Sequence, residues 1–91
     1  MISTYLVSLD EVDKLREDHL AFLDGLQERR LVVSAGRQDP PTGGVVILDV
    51  PTEAAAVEAM AQDPYVVNGA AEYRAIGFTP SRGVLKDYRP S

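Results

Sequence analysis

The chain has 91 residues, 45% of them apolar, no cysteine and a formal net charge of −5 at pH 7. This length and composition predict one small globular domain and exclude a disordered chain. The acidic balance argues against nucleic acid, because phosphate binding needs clustered lysine and arginine. No apolar run approaches the ~20 residues of a membrane span, and we expect no signal peptide. The lack of thiols suits a reducing compartment, so we predict a cytoplasmic protein without a membrane partner.

The first third of the chain predicts a strand, a long helix and a second strand. Residues 2–9 alternate as a strand does and carry apolar side chains on both faces. Apolar residues then recur at helical spacing over residues 11–29, with Asp10 as the expected N-cap. His19, the only histidine of the chain, lies in that apolar stripe. Residues 31–35 predict a strand that ends at Gly36.

The middle of the chain predicts a hairpin and a second helix. Residues 37–44 are rich in proline and glycine and indicate a loop. Residues 45–50 begin with four consecutive apolar side chains, which favours a strand buried on both faces. A helix begins after Thr52 as its N-cap and stops before Pro64, since the residue preceding a proline disfavours the helical region.

The C-terminal part predicts a short connector, a last strand and a tail. Residues 66–69 form the connector, and residues 72–79 alternate as a strand does. The tail over residues 80–91 is polar, and we expect it to be extended, with Leu85 and Tyr88 as its anchors.

The order strand, helix, strand, strand, helix, strand predicts a ferredoxin-like α+β fold with a four-stranded antiparallel sheet. Right-handed crossovers place both helices on one face of the sheet. The strands carry apolar residues toward both faces, and two helices cover only one of them. An exposed apolar sheet face of that size is an interaction surface, so we predict a homodimer in which the two uncovered faces meet.

Several short motifs follow one another in an order that resembles the YCII-related (YciI-like) family. The resemblance covers roughly residues 1–79 and leaves residues 80–91 as a tail. Its motifs are Asp18-His19-Leu20 with Leu23, Val33-Ser34-Ala35-Gly36, Gly43-Gly44-Val45-Val46-Ile47, Glu53-Ala54-Ala55, and Asp63-Pro64-Tyr65 with Gly69.

The resemblance implies a dimeric α/β barrel, with a pocket where His19 and Asp63 meet. It also implies an enzyme, although the substrates in the family are usually unknown. One branch is similar to dehydrochlorinases that act on chlorinated hydroxyquinols, and muconolactone isomerases share the barrel. The chain departs from the family at Arg37, where a proline commonly follows the glycine; this places a cation near the expected pocket mouth.

His19 and Asp63 are the predicted catalytic pair. An imidazole can exchange protons near neutral pH and can serve as a general acid or base. A carboxylate that accepts the imidazole N–H fixes the tautomer and stabilises the imidazolium. The alternatives are structural: His19 would be a satisfied core histidine, and Asp63 a turn or capping residue before Pro64.

Tyr65, Gly36 and Arg37 are the predicted substrate-binding residues. Tyr65 could contact a ligand or be a core aromatic, and Gly36 could allow close approach of a ligand or only form a turn. Arg37 could clamp a carboxylate substrate or be solvated. One histidine and no cysteine argue against a zinc site, and no fingerprint indicates a nicotinamide, flavin or haem, so we predict neither metal nor cofactor.

Two functions remain open from the sequence. The first is a small acid–base enzyme that eliminates, isomerises or dehydrochlorinates a small molecule through the His19–Asp63 pair. The second is a dimeric binding or accessory module without catalysis. A cavity that solvent can reach at His19 favours the first, and a sealed His19 favours the second.

Overall fold

The computed structural model describes residues 1–88, which form one four-stranded sheet and four helices. The strands lie in the order β2-β3-β1-β4, and every neighbouring pair is antiparallel. This is the strand order of a ferredoxin-like α+β fold, so the predicted fold class is confirmed. The elements are β1 (Ile2–Tyr5), α1 (Leu9–Lys14), α2 (Arg16–Glu28), β2 (Val32–Arg37), β3 (Gly44–Leu48), α3 (Glu53–Met60), α4 (Pro64–Val67) and β4 (Ala71–Arg74).

The longer helices cover one face of the sheet. Leu26 of α2 and Met60 of α3 pack in one buried cluster with Val46 of β3. A single strand side chain points to one face only, so α2 and α3 lie on the same side. Tyr73 of β4 packs against this cluster, and Ser3 lies opposite Tyr73 in the strand register. The face that carries Ser3, Val46 and Tyr73 is therefore the helix-covered face, as predicted.

The helix predicted over residues 11–29 is in fact two helices. They are separated at Leu15, whose φ and ψ are −100° and −2° and whose N–H donates to the Val12 carbonyl at 2.9 Å. The two helices pack in different clusters: Val12 lies among the residues around Tyr65, whereas Leu26 lies in the cluster of Met60. The apolar period runs through Leu15 without interruption, so the pattern could not reveal the break.

The predicted N-cap of the first helix was wrong. Ser8 is the cap, because its hydroxyl accepts a hydrogen bond from the Glu11 N–H at 3.3 Å. Asp10 lies inside the first turn instead, where its charge favours the positive end of the helix dipole.

The first and last strands end earlier than predicted. β1 ends at Tyr5 rather than residue 9. The Leu6 N–H still donates to the Ala70 carbonyl beside β4, and Ser8 then caps α1, which begins at Leu9. β4 ends at Arg74 rather than residue 79. Arg74 lies opposite Ile2. Met1, the residue before Ile2, forms both of its backbone hydrogen bonds with Val46 of β3. No β1 residue therefore remains to pair with residues 75–79.

The β2–β3 hairpin is longer than predicted. Gly36, the predicted end of the strand, pairs with Val45. Arg37, which was predicted in the loop, pairs with Gly44 and so belongs to β2. The Gln38 N–H continues the ladder by donating to the Gly43 carbonyl at 2.8 Å. The loop between the two strands therefore spans residues 38–43 instead of the predicted residues 37–44.

The second helical region begins as predicted and ends in a second short helix. The Thr52 hydroxyl accepts from the Ala55 N–H at 3.0 Å, which confirms Thr52 as N-cap. α3 ends before Pro64, and Pro64 opens α4 because its fixed φ suits the first helical position. α4 thus takes up part of the predicted connector over residues 66–69, and Gly69 follows it with a φ of +70°, which glycine adopts without steric cost.

The tail was predicted to be extended, and its described part contains turns instead. The Lys86 N–H donates to the Gly83 carbonyl, and the Tyr88 N–H donates to the Leu85 carbonyl. The Tyr88 hydroxyl donates to Asp49 Oδ2 at 2.8 Å. Residues 89–91, with Pro90 of the predicted tail, lie outside the described residues.

Candidate active site

Asp63 is a fully buried carboxylate at the start of α4. Its extended backbone, with φ −56° and ψ 127°, is the conformation that a following proline favours. Oδ1 caps the helix by accepting the Tyr65 N–H at 3.0 Å. The capping role weighed from the sequence is therefore real, and it aims the rest of the carboxylate toward α2.

The imidazole of His19 meets that carboxylate, although 44 positions separate the two residues. His19 Nδ1 lies 2.8 Å from Asp63 Oδ1 and 3.0 Å from Oδ2. The prediction that the two side chains are neighbours is confirmed. A carboxylate only accepts, so Nδ1 carries the proton and Nε2 is left as the acceptor of a neutral imidazole. Within residues 1–88, no side chain hydrogen-bonds Nε2.

Tyr73 is a third member of the cluster, and the sequence analysis missed it. Its hydroxyl donates to Asp63 Oδ2 at 2.7 Å. Burial raises the pKa of the Tyr73 phenol, and the hydrogen bond to Asp63 raises it further, because ionisation would set two anions side by side. Asp63 thus accepts from Tyr65, Tyr73 and His19, which compensates for its removal from water. The only available signal was an aromatic residue on the inner face of the last strand.

Tyr65 holds the imidazole from its face. The two rings are parallel within 9°, with centroids 3.9 Å apart. Tyr5 packs edge-on against Tyr65 at 6.0 Å. Burial raises the pKa of the Tyr65 phenol. Stacking on one face and hydrogen bonding at Nδ1 leave the ring of His19 little freedom to rotate.

Arg37 reaches the same region from β2. Its Nε donates to the Tyr5 hydroxyl at 3.0 Å, and its Nη2 donates to Asp13 Oδ1 at 2.6 Å. The hydrogen bond to Asp13 is the main reason that the pKa of the guanidinium rises above its ordinary value. Arg37 was expected in a loop and to be a solvated cation in the structural alternative. It is instead an ordered strand residue with a partly buried side chain.

A cleft of about 360 Å³ opens between α2 and β2 beside these residues. That volume lies near the lower end of the roughly 300–1,000 Å³ typical of small-molecule sites. His19, Tyr65, Gly36 and Arg37 all line it, whereas Asp63 lies behind His19 and is sealed from solvent. The imidazole keeps 12% of its side-chain surface exposed. The other lining residues are Ser3, Tyr5, Arg16, Leu20, Leu23, Asp24, Gln27, Val32, Val33, Ser34, Ala35, Gly44, Val45, Val46 and Tyr73.

Gly36 lies at the cleft as a strand residue and not as a turn residue. A Cβ at this position would meet no other atom within 4 Å. Gly36 pairs with Val45, so this Cβ would point to the uncovered face of the sheet and not into the cleft. Contact of the Gly36 backbone with a ligand stays a prediction.

Among residues 1–88, no group of three or more histidine, aspartate or glutamate side chains is placed to hold a metal ion. None of the helices in this part of the chain is long and apolar enough to cross a membrane.

The fold and the cleft define a ferredoxin-like α+β protein with a buried histidine–aspartate pair beside an open pocket. Residues 2–79 match the model of the YCII-related domain. The chain therefore belongs to the YCII-related family, as the motifs of its sequence indicated. A comparison with curated proteins found no match.

Proposed function

We propose that this chain is a small acid–base enzyme that eliminates, isomerises or dehydrochlorinates a small molecule in the cleft between α2 and β2. The observation that carries the proposal is the position of His19. Its Nδ1 is bound to a buried carboxylate, and the same ring lines a cleft that solvent reaches. A histidine with only a structural role would not need to line a cleft that solvent reaches.

His19 Nε2 would act as the base. It takes a proton from a carbon of the substrate, and the electron pair of that C–H bond forms a carbon–carbon double bond. In elimination the leaving group departs with its own electron pair, as chloride does in dehydrochlorination. For the keto tautomer of a chlorinated hydroxyquinol, the base takes the proton of a ring hydroxyl instead; that O–H electron pair forms a carbonyl, the ring double bond shifts, and chloride leaves. In isomerisation the substrate already contains a double bond, whose electron pair shifts to a further carbon as the new double bond forms. The imidazolium returns the proton to that carbon. Asp63 stabilises the imidazolium in both cases, and the geometry needs no movement of the ring.

The surroundings of the pair support this role. Tyr73 and the Tyr65 N–H fix the carboxylate, and the Tyr65 ring fixes the imidazole. A catalytic group held by such neighbours is preorganised, which lowers the cost of reaching the transition state. Asp63 is a positioning and charge-stabilising group in this scheme, because His19 separates it from the cleft.

The test is turnover by the full chain with two substrate types, a chlorinated hydroxyquinol and an unsaturated lactone, followed by chloride release and by NMR. We expect turnover of one of them, and a loss on the order of 10²–10⁴-fold in kcat for His19→Gln. Asp63→Asn should lower kcat as well, and the double variant should lose little more than His19→Gln, because the two residues act as one unit. Glu17→Gln is the matched control, since Glu17 is an exposed residue of α2 outside the cleft.

Equal turnover by the parent chain and by His19→Gln would refute the proposal. Binding of these molecules in the cleft without any turnover would favour the alternative, a binding or accessory module without catalysis.

We further propose that the chain works as a homodimer joined through the uncovered sheet face. Val45 on that face is 38% exposed, and Ile76 and Phe78 beyond the end of β4 are 54% and 61% exposed. Burying such side chains against a second copy is favourable, and a stable interface would cover on the order of 1,600 Å² in total. Sedimentation equilibrium at micromolar concentration should give a dimer for the parent chain and for Val57→Glu on α3, and a monomer for Val45→Glu. A monomeric parent chain would contradict the proposal.

A further inference from the structure

Arg16 is a cation without a partner in the cleft. It is half-buried, it lines the cleft, and it forms no side-chain hydrogen bond or ion pair with any of residues 1–88. Partial removal of a guanidinium from water is unfavourable unless an anion compensates. The chain carries a net charge of −5, so a cation left unpaired beside a pocket is unexpected in a merely structural role.

The geometry points to a carboxylate-binding subsite formed by Arg16 and Arg37 at one end of the cleft, with a small carboxylic acid as the substrate class. The inference rests on the proposed function for the chemistry at His19, but the binding of the carboxylate stands on its own.

The charges at this end of the cleft favour one monovalent anion. Arg37 is neutralised by Asp13, which also holds its guanidinium in place through Nη2. Arg16 then contributes one uncompensated positive charge. The guanidinium of Arg37 also hydrogen-bonds the Tyr65 phenol, so three neighbours hold it in place. A guanidinium has five N–H donors, so donors remain for a ligand. Arginine donors in a planar fork suit a carboxylate well.

Both guanidiniums line the same cleft as the phenol of Tyr65 and act on its charge. Arg37 and Arg16 each favour the ionised phenol and so oppose the rise in the pKa of Tyr65 that burial causes. Tyr65 stacks on His19, so its ring spans the distance between the cationic end of the cleft and the imidazole. The anion would therefore lie near the phenol end of Tyr65, and the reacting carbon near the imidazole.

The spacing along α2 sets the size of the substrate. Arg16 and His19 are three residues apart and share one face of the helix, about 4.5 Å apart along its axis. A carboxylate at Arg16 thus places a carbon only a few bonds away within reach of His19 Nε2. Leu20 and Leu23 add apolar walls, which suit a planar or unsaturated skeleton. The opposite end of the cleft carries Asp24, which would repel an anion bound in the reverse orientation.

The probe for this subsite is benzoate, with benzamide as the uncharged molecule of the same shape. Titrations of the isotope-labelled full chain, followed by NMR, should show benzoate shifting the methyl signals of Leu20 and Leu23. Benzamide should bind at least tenfold more weakly. Arg16→Gln should weaken benzoate tenfold or more and leave benzamide unchanged. Arg29→Gln is the matched control, because Arg29 is an exposed cation at the far end of α2 that does not line the cleft.

Three results would overturn the inference: equal binding of benzoate and benzamide, equal benzoate affinity in Arg16→Gln, or an equal loss in Arg29→Gln. His19→Gln should keep benzoate affinity within about threefold, since His19 is not part of the subsite. If benzoate binding depends on Arg16 but neither substrate type is turned over, the carboxylate subsite is supported and the proposed enzymatic function is refuted. If uncharged substrates are turned over but benzoate does not bind, the enzymatic function is supported and the carboxylate subsite is refuted.

Discussion

Two buried clusters beneath the helices are stabilised in different ways. The apolar cluster, formed by Leu26, Val46 and Met60, joins α2, β3 and α3 through side chains without polar groups. The polar cluster, formed by His19, Asp63, Tyr65 and Tyr73, joins α2, α4 and β4 through hydrogen bonds and ring stacking.

The difference between the clusters lies in directionality. Burial of apolar surface is non-directional, so another apolar side chain of similar volume can replace a member of the apolar cluster at small cost. A buried carboxylate is stable only while each donor stays in place, because an unpaired polar group in the interior is costly. The polar cluster thus fixes particular residues, and it is the one that borders the cleft. Substitutions in the two clusters should therefore affect the free energy of unfolding in different ways.

The largest effect is expected from Asp63→Ala. This change leaves His19, Tyr73 and the Tyr65 N–H without their acceptor in a buried site. The free energy of unfolding should fall by about 3–5 kcal/mol, as for other broken buried pairs. Denaturant unfolding at fixed protein concentration measures it. Asp39→Ala is the control, since Asp39 also precedes a proline but is exposed; an equal loss in both variants would contradict the assigned role of Asp63.

The apolar cluster should respond to volume and not to chemical identity. Met60 is 1% exposed, so Met60→Ala should create a cavity and cost about 2–5 kcal/mol. Met60→Leu nearly conserves volume and should cost less than about 1.5 kcal/mol. Denaturant unfolding of both variants checks the ratio. If the leucine variant lost as much as the alanine variant, the cluster would depend on shape as strictly as the polar one.

Tyr73→Phe removes one donor from Asp63 and keeps the ring. We expect a loss of about 1.5–3 kcal/mol at neutral pH, the usual worth of a hydrogen bond to a charged group. The folded-state pKa of Tyr73 lies above its ordinary value of 10.0, so its contribution is present below pH 10 and is lost as the pH rises beyond it. The unfolding free energy should therefore fall less steeply above pH 10 in Tyr73→Phe than in the parent chain. Identical alkaline slopes would show that burial of this phenol does not affect stability.

The smallest effects on stability are expected from alanine substitutions at two glycines, Gly43 and Gly25. A Cβ on Gly43 would collide with the backbone carbonyl of Ser3, which lies opposite Tyr73. Gly43→Ala should cost about 1–3 kcal/mol, because backbone must move. Gly25 in α2 has open space around it, so Gly25→Ala should stabilise the chain by up to about 1 kcal/mol. Thermal unfolding of the two variants should show shifts of opposite sign. A Gly43→Ala variant as stable as the parent chain would contradict the close approach at Gly43, and a destabilised Gly25→Ala variant would contradict the open space at Gly25.

The sequence was sufficient for the features that depend on local patterns. Alternation and helical spacing predicted the order of the elements, the ferredoxin-like sheet and the cap at Thr52. These predictions succeeded because periodicity, capping and the restriction before a proline act within a few residues. The contact between His19 and Asp63 was instead implied by the resemblance to the YCII-related family, since no local pattern links residues 44 positions apart.

Only the tertiary structure decided the rest. The break at Leu15 leaves the apolar period intact, and the end of β4 depends on where β1 stops offering partners. Tyr73 became a partner of Asp63 through a contact between elements that no local pattern encodes. Arg16 shows the same limit: its sequence neighbours mark it as an ordinary surface cation, and only the packing of α2 against β2 makes it line a cleft. Side-chain contacts between distant elements depend on register and crossing geometry, which a single sequence leaves open.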